Sequence, residues 1–195
     1  MAKSEVPGEL TSPTQPFPVK PPPIARVRYQ PEDLVTAADT TAEHAKACAE
    51  LIEKSGGVSN AGPFTPWRYR AEGATTAASL VFPGGLGGAN WGGTAFDPGS
   101  RFIFVASQDV GALGWIEKAK DGSAGAYDKA TVPGGATFSV RIGDGNWPCQ
   151  KPPWGRLTAV NASIGDIGGR SRSASPNSFR RASKTLEGPC WQGRS

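Results

Sequence analysis

The sequence has no long apolar stretch, and it contains only three cysteines and one histidine. No segment reaches the roughly 18 consecutive apolar residues of a membrane-spanning helix, and residues 1–5 do not begin an apolar signal segment. The chain by itself therefore predicts a soluble, cytoplasmic protein. Only 37% of its 195 residues are hydrophobic, whereas 26 are Gly and 18 are Pro. This composition is typical of short strands and turns, and it predicts an all-β fold.

The three cysteines, Cys48, Cys149 and Cys190, are too few for a disulfide framework, and their odd number leaves at least one thiol unpaired. They leave the redox compartment undecided. The single histidine, His44, excludes a His-rich metal site. His44 and Cys48 lie four residues apart in a predicted helix, which would place two ligands on one face. Two ligands do not make a closed metal site, so the sequence predicts none.

The N-terminal part of the chain divides into two segments. Residues 1–35 are rich in proline, which fixes the backbone φ angle and disfavours helix, so they predict an extended strap or linker. Residues 36–57 predict one short helix at about residues 41–55. Thr40 and Glu43 form a capping box ahead of its apolar positions.

Residues 58–168 predict strands of an antiparallel assembly. Short β-type runs separated by glycine occur at residues 80–82, 94–96, 102–105, 137–140 and 157–160. Residues 117–135 lack this pattern and predict a long loop. Two of the runs end in Asp97 and Asn161, whose side chains can bond to the backbone of a turn before the next strand. The sequence therefore predicts a repeated hairpin corner.

Residues 169–195 predict a separate basic tail. They contain six of the 21 basic residues and one of the 17 acidic residues, so the net charge of +4 arises in this segment. A disordered Arg/Ser-rich tail binds nucleic acid through phosphate contacts, which gives one alternative function.

Four segments resemble one family in the same order. Residues 80–98 contain Gly-Gly-Ala-Asn-Trp-Gly-Gly-Thr-Ala-Phe-Asp-Pro, which resembles the G-G-x-N-W-G-G-x-A-[FY]-D-P segment of membrane-type dehydrogenases that use pyrroloquinoline quinone (PQQ). Residues 6–23 resemble the proline-rich strap of that family, and residues 62–66 its G-P-x-F-T-P element. Residues 148–161 resemble its P-C-x-x-P-P-W-G-x-L-x-A-[VI]-[DN] run. Four ordered matches are far more specific than any one of them.

The resemblance implies an eight-bladed β-propeller in which PQQ lies across the mouth beside a calcium ion. Residues 79–169 would supply about two blades, which makes a partial propeller with a strap and one short helix. By resemblance, Asn90 is a polar contact to the quinone, with Trp91 beside it as a second cofactor-binding residue. The alternatives are that Asn90 caps a blade turn and that Trp91 fills a blade interface. Trp154 either walls the substrate channel or locks two blades together.

The family's catalytic aspartate and calcium ligands lie, by resemblance, upstream of the strap, so no catalytic or metal-binding residue is assigned in this chain. Asp97, Asp144 and Asp166 are predicted to be turn carboxylates. The resemblance implies part of an oxidoreductase that oxidises sugar or polyol hydroxyl groups and passes electrons to a quinone acceptor. Such enzymes work at the periplasmic side of the inner membrane, and this chain is expected to be inactive without the remaining blades. A non-catalytic propeller scaffold is the other alternative, and no nucleic-acid partner is expected.

The resemblance is expected to end at Ile167, where the family continues with a Trp and a Val-Pro-Leu-Gly strand. Another reading frame of the tail permits W-A-V-P-L-G at that point. The sequence therefore predicts that residues 169–195 are disordered or out of frame, and the coding DNA around codon 168 tests this.

Overall fold

The computed structural model describes residues 2–90, 92–120 and 124–173. This part of the chain contains a 3₁₀ turn (Pro31–Asp33) and one helix, α1 (Ala42–Lys54). The strands are β1 (Val58–Ser59), β2 (Ala78–Val81), β3 (Thr94–Asp97), β4 (Phe102–Gln108), β5 (Ala112–Lys118), β6 (Tyr127–Ala130), β7 (Ser139–Ile142), β8 (Gly145–Pro148), β9 (Gly155–Asn161) and β10 (Ile167–Ser173). No helix among these residues is long and apolar enough to cross a membrane.

The strands form two four-stranded sheets and one separate hairpin. The first sheet has the order β1-β2-β5-β6, the second has the order β10-β9-β4-β3, and β7 pairs with β8. Every pairing is antiparallel except that of β1 with β2. The prediction of an all-β, partial propeller with one short helix is confirmed. The sheets are interleaved along the chain rather than strictly consecutive, because the chain leaves the first sheet after β2 and returns to it at β5.

The repeated hairpin corner is present at both predicted places. In the β3–β4 turn, the Asp97 carboxylate accepts hydrogen bonds from the backbone N–H of Gly99 at 3.0 Å and from the Ser100 hydroxyl at 2.5 Å. In the β9–β10 turn, Asn161 Oδ1 accepts from the Ser163 N–H at 2.9 Å. Because β4 pairs with β9 along its whole length, the two hairpins form one continuous sheet.

Strands β1, β5, β6 and β8 lie outside the predicted β-type runs. Residues 117–135 contain β6, which pairs with the end of β5, so the prediction of a loop throughout this segment is wrong. Strand β5 itself was missed because Gly114 interrupts its β pattern. A Cβ at Gly114 would lie 2.5 Å from the Ala130 carbonyl oxygen, so glycine is needed there for the close approach of β6.

Strand β10 continues beyond the predicted boundary of the tail. It pairs with β9 as far as Ser173, so the first five residues of the segment 169–195 belong to the second sheet. The Arg170 guanidinium donates to the Pro23 carbonyl at 2.8 Å, which attaches this strand to the strap. The rest of the predicted tail, including Cys190, lies outside the described residues.

The described residues of the predicted strap before Pro31 form no helix or strand, and the strap contacts both sheets. Near its start, the Tyr127 hydroxyl of β6 donates to the Pro7 carbonyl at 3.0 Å. Near its end, the Ser107 hydroxyl of β4 donates to the Ile24 carbonyl at 3.2 Å. The strap therefore connects the first sheet to the second.

Helix α1 begins one residue later than the predicted capping box implies. Its N-cap is Thr41, whose Oγ1 accepts from the His44 N–H at 3.1 Å, while Thr40 Oγ1 lies 2.8 Å from His44 Nδ1. Cys48 and Leu51 on its buried face join the main core. The largest fully buried apolar side chains of that core are Leu80, Leu113 and Phe138.

A disulfide between Cys48 and Cys149 joins α1 to the segment after β8, across a sequence separation of 101 residues. The sequence left the redox state of the three cysteines undecided, and two of them form this single bridge. Phe138 lies next to it, since the Cys149 N–H donates to the Phe138 carbonyl at 2.9 Å. The bridge thus fixes the helix and the hairpin to one core.

Removing the bridge should destabilise the chain. A Cys48→Ala/Cys149→Ala variant should lose about 2 to 5 kcal/mol of unfolding free energy, because a loop of about 100 residues is no longer closed in the unfolded state. Urea unfolding of the oxidised protein and the variant measures the difference. The Cys190→Ser variant is the control and should unfold like the parent. Equal stability of the parent and the double variant would contradict the structural role of the bridge.

Candidate functional site

The glycine loop, residues 83–93, connects β2 to β3 and carries Asn90. Its base is tightly packed: the Gly84 N–H donates to the Val110 carbonyl at 2.9 Å, and a Cβ at Gly84 would lie 2.6 Å from that oxygen. A Cβ at Gly88 would lie 2.5 Å from Ala25 Cβ of the strap. Glycine is required at both positions because the Val110 carbonyl oxygen and Ala25 Cβ lie too close for any side chain. The loop is therefore held between the strap and the start of β5.

Asn90 lies exposed at the tip of this loop. Its Nδ2 donates to the Leu86 carbonyl at 2.7 Å, and its own carbonyl accepts from the Gly93 N–H at 3.1 Å. The side chain thus caps a turn, as one of the two predicted alternatives requires. Its Oδ1 accepts no hydrogen bond from the residues that the structure describes. Trp91, the other predicted cofactor residue, lies outside those residues.

A buried polar cluster lies behind the loop; we call it the Asp109 cluster, and it contains Arg26, Asp109, Gln150, Trp154 and Arg156. The Asp109 carboxylate accepts from the Arg26 backbone N–H at 2.6 Å and forms an ion pair with Arg156 at 2.8 Å. Gln150 Nε2 donates to the Asp109 carbonyl. Trp154 Nε1 donates to the Gln150 carbonyl at 2.7 Å, and the Trp154 carbonyl accepts from the Asp109 N–H at 2.9 Å.

The Asp109 cluster positions the base of the glycine loop. The residues on either side of Asp109 hold it directly: the Gln108 N–H donates to the Gly88 carbonyl at 2.8 Å, and the Val110 carbonyl accepts from Gly84. The Asp109 side chain is fully buried, and that of Arg156 is 16% exposed. Because both Asp109 oxygens are engaged, this carboxylate is a structural charge rather than an available base.

Asp97, one of the three aspartates predicted to be turn carboxylates, forms the expected turn hydrogen bonds. Hydrogen bonds from the Ser100 side chain and from the Gly99 backbone lower the pKa of Asp97. Asp166 is exposed and lies 3.0 Å from Lys20 Nζ. Asp144 is exposed in the β7–β8 turn. None of the three is placed against the glycine loop by a hydrogen bond or ion pair.

Trp154, predicted either to wall the substrate channel or to lock two blades together, is buried within the Asp109 cluster. Sequence reasoning missed Asp109 itself. The sequence signal for it was an acidic residue directly after β4 and before Val110-Gly111. Such a residue in a glycine-containing segment is usually a solvated turn carboxylate, so the burial was not foreseeable.

Comparison with known proteins identifies the family of this chain. Residues 1–190 match the family model of the PQQ-type glucose/ethanol/alcohol dehydrogenase β-propeller domain. The chain belongs to this family of PQQ-dependent dehydrogenases. The matched range runs past Ile167, where the resemblance was expected to end.

Individual relatives give the same result. The quinate/shikimate dehydrogenase (quinone) of Acinetobacter baylyi is 30% identical over 177 residues, which cover 81% of this chain and 20% of that protein. The quinoprotein glucose dehydrogenase of Escherichia coli is 25% identical over 187 residues, which cover 87% of this chain and 21% of that protein. A probable quinate dehydrogenase (quinone) of Xanthomonas campestris is 30% identical over 183 residues, covering 84% of this chain and 21% of that protein. The chain spans about a fifth of the length of these relatives.

Neutralising Asp109 should destabilise the fold and loosen the loop. In Asp109→Asn, the buried Arg156 guanidinium loses its compensating charge, which costs about 3 to 5 kcal/mol of unfolding free energy. Urea unfolding measures the loss. Hydrogen exchange should show faster exchange at the Gly84 and Gln108 amides, which form the base of the loop.

The matched control for this experiment is Asp166→Asn. It removes an exposed carboxylate whose ion pair with Lys20 should contribute less than about 1 kcal/mol. If both variants had the same small effect, the Asp109 cluster would not support the loop.

Proposed function

We propose that this chain forms part of a PQQ-dependent dehydrogenase that oxidises a hydroxyl group of a sugar or a cyclic polyol to a carbonyl. The observation that supports this most directly is the exposed Asn90 amide on a loop whose base is rigidly held. The relatives add support, because their names specify glucose, quinate or shikimate, all of which are ring compounds with several hydroxyl groups. Within this proposal Asn90 and Trp91 belong to the cofactor site.

The loop fits a quinone cofactor at one polar contact. The Asn90 side chain uses one N–H for Leu86, and its Oδ1 is available to a ligand, as is its second N–H. A Cβ at Gly92 or Gly93 would meet no atom within 4 Å, so the backbone beside Asn90 is open to close approach. PQQ, when bound, takes up two electrons and two protons from the substrate alcohol and later passes them to a quinone acceptor. Asn90 would orient its quinone oxygens.

The remaining parts of the site would come from outside this chain. We assign the catalytic base and the calcium ligands to further blades, since the one buried aspartate that we describe, Asp109, is already paired with Arg156. Those blades would also cover the apolar side chains exposed on the second sheet, Phe96 and Leu157. Edge strand β3 is exposed along its length and offers a pairing edge to the next blade. The periplasmic face of the inner membrane is the proposed location.

Truncation of the Asn90 side chain should weaken PQQ binding. With calcium present, Asn90→Ala should raise the dissociation constant for PQQ by about two- to tenfold, the equivalent of one ordinary hydrogen bond. Equilibrium dialysis with the intact chain measures it. Asn146→Ala, which truncates an exposed asparagine of β8, is the control and should bind PQQ like the parent. If the two variants bind PQQ equally, Asn90 is a turn cap only.

The chain alone should not turn over substrate. Supplied with PQQ, calcium, glucose or quinate and an artificial electron acceptor, it lacks a positioned base, whose contribution is about 10²- to 10⁴-fold. A spectrophotometric assay of acceptor reduction tests this. Clear PQQ-dependent turnover would place the base within this chain and contradict the assignment to other blades.

A further inference from the structure

His44, Cys48 and Cys149 bring three metal-ligating side chains to one point. One ring nitrogen of His44 and the two sulfurs all lie within 4.8 Å of one another, and all three residues are fully buried. His44 and Cys48 lie on the same face of α1, four residues apart, and Cys149 approaches from the end of β8. The sequence showed two of these donors, and the fold adds the third.

The His44 ring is oriented like that of a metal ligand. Its Nδ1 lies 2.8 Å from Thr40 Oγ1, whereas its Nε2 is buried and has no hydrogen-bond partner among the described residues. The carbonyls of Trp147 and Pro148 lie near the ring, but neither has the geometry of a hydrogen bond to it. Metal-bound histidines typically donate their other ring N–H to a supporting group, and Thr40 is suited to that role. A buried nitrogen without a partner is costly, and a ligand would satisfy it.

The surroundings favour a neutral imidazole. Burial lowers the pKa of His44. The rings of Trp147 and Trp154 lie edge-on to it, with centroids at 5.3 Å and 6.1 Å. These apolar walls exclude water and lower the local dielectric, which strengthens the attraction between a cation and thiolates.

We propose that His44, Cys48 and Cys149 form a redox-dependent zinc site. A dithiol reductant supplies two electrons and two protons to the Cys48–Cys149 bond and itself becomes a disulfide. The two cysteine thiols then lose their protons to solvent as Zn²⁺ binds both sulfurs and a His44 ring nitrogen. Oxidation reverses the exchange: the two thiolates release Zn²⁺ and re-form the disulfide as two electrons pass to a disulfide oxidant.

The donor set selects the metal. Two thiolates and one imidazole suit Zn²⁺, whereas Ca²⁺ and Mg²⁺ require oxygen ligands. Tetrahedral coordination with Zn–S bonds of about 2.3 Å places the two sulfurs about 3.8 Å apart, so the sulfurs, which are bonded at 2.07 Å in the oxidised chain, move apart when the bridge is reduced and zinc binds. Three protein ligands leave the fourth position for a water molecule. This site is independent of the proposed PQQ reaction.

Zinc binding by the intact chain tests the proposal. The Cys190→Ser variant removes the third thiol and serves as the parent. After reduction with a phosphine under anaerobic conditions and dialysis against Zn²⁺, atomic absorption should find about one zinc per chain; the oxidised protein should retain none. Co²⁺ in place of Zn²⁺ should give thiolate-to-cobalt charge-transfer absorption in the reduced protein only.

Variants separate ligands from supporting residues. Loss of a supporting hydrogen bond typically weakens metal binding by about 10- to 100-fold. Cys48→Ser and His44→Asn should each weaken Zn²⁺ binding by more than this, because each removes a ligand. Thr40→Val should weaken it within that range, because it removes only the bond to Nδ1. If reduction unfolds the protein, Zn²⁺ should restore its near-ultraviolet circular dichroism, to which Trp147 and Trp154 contribute.

Three results would overturn the proposal. The first is a folded, reduced chain that takes up no Zn²⁺. The second is equal Zn²⁺ binding by the parent and by Cys48→Ser, which would place the ion elsewhere. The third is a reduced, unfolded chain that Zn²⁺ does not refold.

Discussion

Asp109 is a fully buried carboxylate, and a buried charge is tolerated only where charged and hydrogen-bonding groups surround it. The partners of its carboxylate come from two separate parts of the chain. Arg26 belongs to the strap, 83 residues earlier, while Arg156 lies at the start of β9. Satisfying this one side chain therefore fixes the strap, the end of β4 and the start of β9 relative to one another. The glycine loop is positioned in turn by its hydrogen bonds to Gln108 and Val110, the residues on either side of Asp109.

The disulfide is the second long-range constraint, and its Cys149 lies next to Gln150 of the Asp109 cluster. Cys149 is covalently joined to α1, and Gln150, the next residue, donates to Asp109. The same segment also pairs with the end of the strap, since the Val35 N–H donates to the Cys149 carbonyl at 2.9 Å. A short stretch after β8 thus transmits the position of the helix and the main core to the polar cluster behind the loop. Val105 and Val160 of the second sheet are buried outside that main core, so these polar and covalent links matter most for placing the second sheet.

Local chemistry made part of the fold predictable. Asp97 and Asn161 bond to the turns that follow them, so both hairpin corners could be inferred from residue type and position. The start of the helix was predictable to within one residue. The sequence indicated Thr40 as the capping residue, and Thr41 provides the N-cap. Strand β6 was not, since Tyr127 to Ala130 gain their pairing only from β5, and the Gly114 that admits it looks like a strand breaker in sequence.

Less of the candidate site could be predicted from the sequence, because its contacts also join residues that are distant in the chain. Motif resemblance identified Asn90, but nothing local predicts that Asp109 is buried or that Arg156 faces it, because that contact joins residues far apart in the chain. The disulfide likewise depends on tertiary structure alone. Pairing Cys48 with Cys149 across 101 residues requires knowing that the hairpin packs on α1.

The two alternatives for Asn90, a turn cap and a cofactor contact, are compatible on physical grounds. A carboxamide has two N–H donors and an oxygen with two lone pairs, and the bond from Nδ2 to Leu86 uses only one of these four capacities. That bond restricts the side-chain rotamers before any ligand arrives, which lowers the entropy lost on binding. Residues that hold a functional group in its working position are as necessary as the group itself. On the proposed function, the turn cap is therefore the means by which the loop presents Asn90, and the Asp109 cluster keeps the base of that loop in place.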